Sequence, residues 1–285
     1  MAVKSKSSVP GVDRRSKVAA VALVAMLSMA GAVAAEGWPR QVDATYRITF
    51  NGFDIGKFGF RASIDGNSYA AEGDARLSAL LGAFKWQGAS RSSGVVADLS
   101  AQPKGYTFDY AGVGKSGSIK MGFREGNVAQ VSVVPQKPAE PGTIAVQASH
   151  LAGVLDPLSA VLALSRTTGA NPCGRRIPVF DGKQRFDLVL TYARQQRVAE
   201  VRPSGQPGVA YVCNVRYVPI SGFRMSDETR HMAETSGIEV ALRPVPSAGI
   251  FIPYQITVPT KAGTATMTSE QVNIVTRREQ IAMTH

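Results

Sequence analysis

Gly112-Val113-Gly114-Lys115-Ser116-Gly117 has the G-x-G-x-x-G spacing of a dinucleotide-binding turn. That chemistry needs a strand before the glycines and a helix after them, so that the helix N-terminus meets the pyrophosphate. Residues 105–111 supply the strand, but Ser118-Ile119-Lys120-Met121-Gly122-Phe123 continues as strand. Gly114-Lys115-Ser116 also echoes a phosphate-binding loop, yet Asp109 stands where that motif has its first glycine. The stretch therefore reads as a hairpin turn.

Nucleophilic chemistry is poorly provisioned. There is no G-x-S-x-G, and the histidines are His150, His231 and the terminal His285. None has a second histidine at metal-ligand spacing. Each reads as a surface or locally hydrogen-bonded side chain. Distant carboxylates can still meet in space for acid–base work, but no pair is nominated. Asp181-Gly182 reads as a turn and Asp187 as a strand position. The expectation is a protein that is not an enzyme, with no catalytic residue, no cofactor and no metal.

Compartment follows from the first residues and from the sulfurs. Lys4, Lys6, Arg14, Arg15 and Lys17 make a basic start, residues 18–29 are apolar, and Ala32-Val33-Ala34 fits a signal-cleavage site. The apolar run is short and alanine-rich for a membrane span. Arg14-Arg15 lacks the aromatic that usually follows in a twin-arginine signal. Residues 1–34 are expected to be a signal peptide and 35–285 one exported, periplasmic domain that does not span the membrane. In that compartment the pair Cys173 and Cys213 reads as a disulfide; a two-cysteine metal site would lack nearby histidines. It would close a loop of about 41 residues, worth about 4 kcal/mol in the chain-entropy picture.

Basic residues exceed acidic ones by 11, and the signal segment holds five of the cations and one acid, leaving about +7. Such a charge favours anionic surfaces such as phospholipid headgroups or polyanionic glycans. The only tight clusters are Arg175-Arg176 and Arg277-Arg278, which read as a solvated basic face. No basic patch carries interleaved aromatics, so nucleic acid is not an expected partner.

The remaining pattern is β. Residues 42–64 alternate as a hairpin around Asn51-Gly52, with Ile48, Phe50, Phe58 and Phe60 on the apolar face. Further strands fall at 69–76, 85–96, 105–111, 117–123 and 128–134, with a single helical turn expected at 77–84. Pro135, Pro138 and Pro141 make a stiff connector. After it, Asp156 caps and Pro157 opens a short helix with Leu158, Val161 and Leu162 on one stripe; Ala160, Ala163 and Leu164 make the other side nearly as apolar. Gly169 and Pro172 stop it. Strands at 177–180, 185–192, 209–218, 238–243, 251–258 and 264–275 complete roughly ten to twelve. Arg194 to Arg202 reads as one more strand candidate, and helix is expected only in the middle.

A meander this long must curl to manage its edges, and Gly56, Gly59, Gly73 and Gly88 lie within strands, where a sheet bends sharply. The expected fold is mainly β: a curved antiparallel sheet forming a half-open or spiral β-barrel, with a helical insertion at about 144–168. Tyr106, Phe108 and Tyr110 share one strand face. If that face lines a hollow interior, they and Leu158 and Leu162 contact a ligand; otherwise they fill a core.

Asp156-Pro157-Leu158-Ser159-Ala160, the run from Pro178 through Asp181-Gly182-Lys183-Gln184-Arg185-Phe186-Asp187-Leu188, and Cys213 with Val215 to Phe223 resemble the family catalogued as domain of unknown function 3108. Tyr46, Phe53, Ile55-Gly56, Pro253-Tyr254 and Val258 fit the same pattern. The resemblance covers most of the exported chain and implies an exported protein of Gram-negative bacteria. It brings no catalytic residues. Its fold is similar to curved β-barrel envelope proteins, including periplasmic lipoprotein carriers and spiral-barrel envelope-integrity proteins. Two functions follow as expectations: binding of a hydrophobic ligand or acyl chain in a barrel concavity, or an envelope-integrity scaffold whose filled core leaves its exterior to bind a protein or cell-wall polymer.

Overall fold

The structure is a computed structural model that describes residues 1–2, 37–79, 82–97, 100–167 and 169–285. Almost all of the expected signal peptide thus lies outside the described residues.

Seven strands come first: β1 (Gln41–Phe50), β2 (Phe53–Asp65), β3 (Ser68–Ala79), β4 (Phe84–Ala97), β5 (Ser100–Gly112), β6 (Lys115–Arg124) and β7 (Asn127–Val134). Helix α1 (Pro157–Ser165) follows, then β8 (Arg175–Phe180), β9 (Arg185–Arg197) and β10 (Val209–Ser221). Helix α2 (Asp227–Glu234) precedes β11 (Glu239–Val245), β12 (Ile250–Thr260), β13 (Gly263–Val275) and β14 (Gln280–Thr284). Every neighbouring pair is antiparallel, in the order β7-β6-β5-β4-β3-β2-β1-β13-β12-β11-β10-β9-β8, with β14 also on β13. Two meanders are thus joined where β1 meets β13, Gln41 opposite Val275 and Phe50 opposite Ala265. The sheet curves but does not close, and a half-open barrel results.

Local chemistry explains the hairpins. Asn51 and Gly52 turn β1 into β2 with φ of 49° and 84°, the left-handed pair that a two-residue hairpin loop demands. Register shifts at Ile48/Thr49, Ser93/Gly94 and Val212/Cys213 bend the strands. Inside the curve, missing side chains make room for large ones. A Cβ at Gly88 would lie 2.5 Å from the Trp86 ring and 2.9 Å from Phe108; one at Gly73 would lie 3.1 Å from Leu158.

Helix α1 lies in the curve and touches β3, β4 and β5 on one side and β8 and β12 on the other. Leu158 and Leu162 enter the larger apolar cluster, with Ala44, Phe60, Tyr106 and Ile119. Ala160 and Leu164 enter a second one, with Ile177, Leu190, Cys213 and Leu242. Burying each leucine contributes about 2 kcal/mol. The burial on two faces that the helix sequence implied is present.

Three expectations about elements need correction. Leu77 to Ala79 extend β3 and Phe84 begins β4, so the helical turn expected at 77–84 is cut back to the connection between them, where Gly82 has 3₁₀ conformation. Strand pairing with Trp86 and Lys85 outcompetes it, Leu77 facing Trp86 directly. Helix is not confined to the middle, because α2 forms from Ser226, whose side chain accepts the Thr229 N–H, with Asp227 and Glu228 in its first turn. Fourteen strands are described rather than ten to twelve, β14 among the additions.

Candidate functional site

The most chemically suggestive cluster is buried at the start of α1. Asp156 Oδ1 accepts the N–H groups of Leu158 at 3.0 Å and Ser159 at 3.1 Å, while Oδ2 accepts Ser92 Oγ at 2.9 Å and the Ser159 hydroxyl. With both serine protons committed, Tyr69 OH donates to Ser159 Oγ at 2.6 Å. Burial pushes the Asp156 carboxyl above the ordinary carboxylate range, against the pull of these donors. Burial also lifts the Tyr69 phenol to about 12. Asp156 and Ser159 are fully buried and Ser92 and Tyr69 nearly so. A substrate has no approach to this hydroxyl–carboxylate group; the bonds from Leu158 and Ser159 cap α1, and those from Ser92 and Tyr69 hold it on β4 and β3.

The other end of α1 is held by charge. Arg175 donates to the carbonyls of Ala163 at 2.8 Å, Arg166 at 2.6 Å and Leu164 at 2.6 Å, filling acceptors that a helix C-terminus leaves open. Arg176 and Arg185 pair with buried Asp187 at 2.9 and 2.6 Å. The Arg175-Arg176 cluster is therefore not simply a solvated basic face. Next to it Cys173 and Cys213 are bonded, their Cα atoms 5.6 Å apart.

The five residues expected at a ligand separate into two groups. Tyr106, Leu158 and Leu162 are core side chains. Phe108 packs partly on the same core and stacks on Tyr110 with ring centroids 5.6 Å apart. Tyr110 is half-buried and carries the Lys183 ammonium 5.9 Å from its ring. Beside α1 the interior is filled. The cavity between Val161, Leu162 and the strand face of Ala44, Tyr46 and Phe60 is about 30 Å³, room for about one water.

Open space lies outside the plugged core. One trough of about 630 Å³ has Gly56, Leu77, Trp86 and Gly112 on its floor. These four form one cross-strand row on the helix-facing side of the sheet. A larger groove of about 910 Å³ runs along β7 at the barrel seam, bounded by Tyr110, Val131, Val133, Ile144, Val146 and Phe223. The connector after β7 forms its far wall: the Ile144 N–H donates to the Phe223 carbonyl at 2.9 Å and the Gly222 N–H to Ile144 at 2.7 Å. Across the seam Gly182 packs so tightly on β6 that a Cβ would lie 2.3 Å from Ile119.

One buried network has no signal in the linear sequence. Fully buried Arg243 contacts Glu200 at 2.8 Å, His285 Nε2 at 2.7 Å and the Pro207 carbonyl at 3.0 Å. His285 Nδ1 meets Ser269 Oγ at 3.0 Å. Burial, then the Arg243 charge, drives His285 down to about 4, so the ring is neutral and accepts from Arg243. In the sequence His285 reads only as a surface or locally hydrogen-bonded side chain; its polar partners Arg243 and Ser269 come from β11 and β13. Among the described residues no group of three or more His, Cys, Asp or Glu is placed to hold a metal ion.

Taken together, these features define a half-open antiparallel β-barrel plugged by its own helix, with grooves at the rim and seam. The chain belongs to the family described as protein of unknown function (DUF3108), whose model matches residues 45–278. No curated protein and no solved structure matches the chain. No described helix is long and apolar enough to cross a membrane.

Proposed function

We propose that this is an exported, non-enzymatic protein of the cell envelope, a scaffold with a filled core that holds an apolar segment of a protein partner in the seam groove. The observation that carries this reading is the contrast of volumes. About 30 Å³ beside α1 is far below the several hundred Å³ of an ordinary ligand pocket, while about 910 Å³ lies open along β7. The buried hydroxyl–carboxylate cluster at Asp156 is consumed in capping α1 and fixing it to the sheet, which supports a role without chemistry. An acyl chain remains the second reading, favoured by the trough over Leu77 and Trp86. Fluorescence titration with an acyl probe separates the two. The scaffold reading expects no saturable binding, and saturable binding lost on Trp86→Arg would replace it with the second.

A further inference from the structure

The strand order from β7 to β8 has two ends, with β14 off that path on β13, and the sequence treats the two ends differently. At one end β8 is six residues long and carries Arg175, Arg176 and Pro178. Its outer edge is covered: the Leu155 N–H donates to the Pro178 carbonyl at 2.9 Å, and the Phe180 N–H to Leu155 at 2.9 Å. At the other end β7 reads Asn-Val-Ala-Gln-Val-Ser-Val-Val, without one charged side chain. Among the described residues its outer edge is bridged only at its start, Asn127 to Ala152. Soluble proteins blunt such edges with charge, proline or a covering segment, because unpaired N–H and C=O groups template another strand.

The surroundings of β7 suit an incoming strand. Val131 and Val134 are 39% and 56% exposed, and Ile144 and Val146 stand exposed on the opposite wall. Charged residues in the lining are Lys137, Lys183 and Arg224 against the single acid Glu140, and Glu140 already lies 3.6 Å from Arg224. A second copy of β7 would bring apolar side chains but no acid to balance that excess.

We propose that the outer edge of β7 is a strand-addition site for an extended peptide of a partner protein. Alternate apolar side chains of the peptide enter the groove, and its acidic flanks meet Lys137, Lys183 and Arg224. The proposal rests on the scaffold reading above and names the kind of partner that the same groove takes.

The test uses the exported protein and a fluorescent peptide in which valine and threonine alternate between terminal aspartates. Anisotropy measures binding and hydrogen–deuterium exchange follows the β7 amides. Saturable binding with slowed exchange across β7 is expected. Val131→Lys, at an exposed position, is expected to keep the melting temperature and weaken binding about tenfold or more. Exchanging the aspartates for lysines weakens it likewise. Binding that leaves β7 exchange unchanged overturns strand addition while the scaffold reading stands. β7 protection that grows with protein concentration alone, with a doubled mass, overturns the partner in favour of a second copy. Absence of binding overturns the proposal.

Discussion

Ser92 Oγ donates to Asp156 Oδ2 at 2.9 Å, and through that bond the middle of β4 grips the first turn of α1. The same carboxylate caps the helix from within. Asp156→Ala is expected to cost about 2 to 4 kcal/mol, combining a lost cap with buried donors left unpaired. Ser92→Ala, which leaves the cap, is expected to cost about 1 kcal/mol. Urea unfolding of the two variants checks the order. Because burial raises the Asp156 carboxyl in the fold, its contribution is fullest below the ordinary carboxyl pKa and is lost as pH rises through the raised value.

His285 has the opposite sign of linkage. Its folded pKa is depressed to about 4 from 6.5, so its contribution is present above the unfolded value and is lost as pH falls from 6.5 to about 4. Melting temperature is expected to fall across that window, and His285→Gln to flatten the fall. An unchanged slope in the variant would remove the Arg243 network from the account.

The Cys173–Cys213 bond ties the loop after α1 to β10. Cys173→Ser is expected to lower stability by about 4 kcal/mol, from the entropy returned to the unfolded chain. Calorimetry of the variant beside the oxidised and reduced parent measures it; identical melts would contradict the estimate.

Much of the fold was legible because its signals are local. Asn51-Gly52, the alternation of Ile48 and Phe50, and the Asp156-Pro157 start act within a few residues, and α1, the hairpin turn at Val113-Gly114 and the curved sheet followed. Helix α2 escaped because Asp227 to Arg230 shows polarity and no apolar stripe, while its signal is the single Ser226 cap. The groove escaped for a different reason. Val131, Ile144, Lys183 and Phe223 lie on four separate segments, and only closure of the curve brings them together. The aromatic row was legible as one face, but periodicity says nothing of depth: Tyr106 is buried while Tyr110 reaches the groove.

Everything functional here depends on the helix having already occupied the place where a lipid would sit. Native mass spectrometry of the protein after export reads this directly. The account predicts the mass of the oxidised polypeptide with nothing bound; a stoichiometric lipid or acyl mass would contradict it, placing the ligand in the trough if Trp86→Arg abolishes it and inside the barrel if it survives.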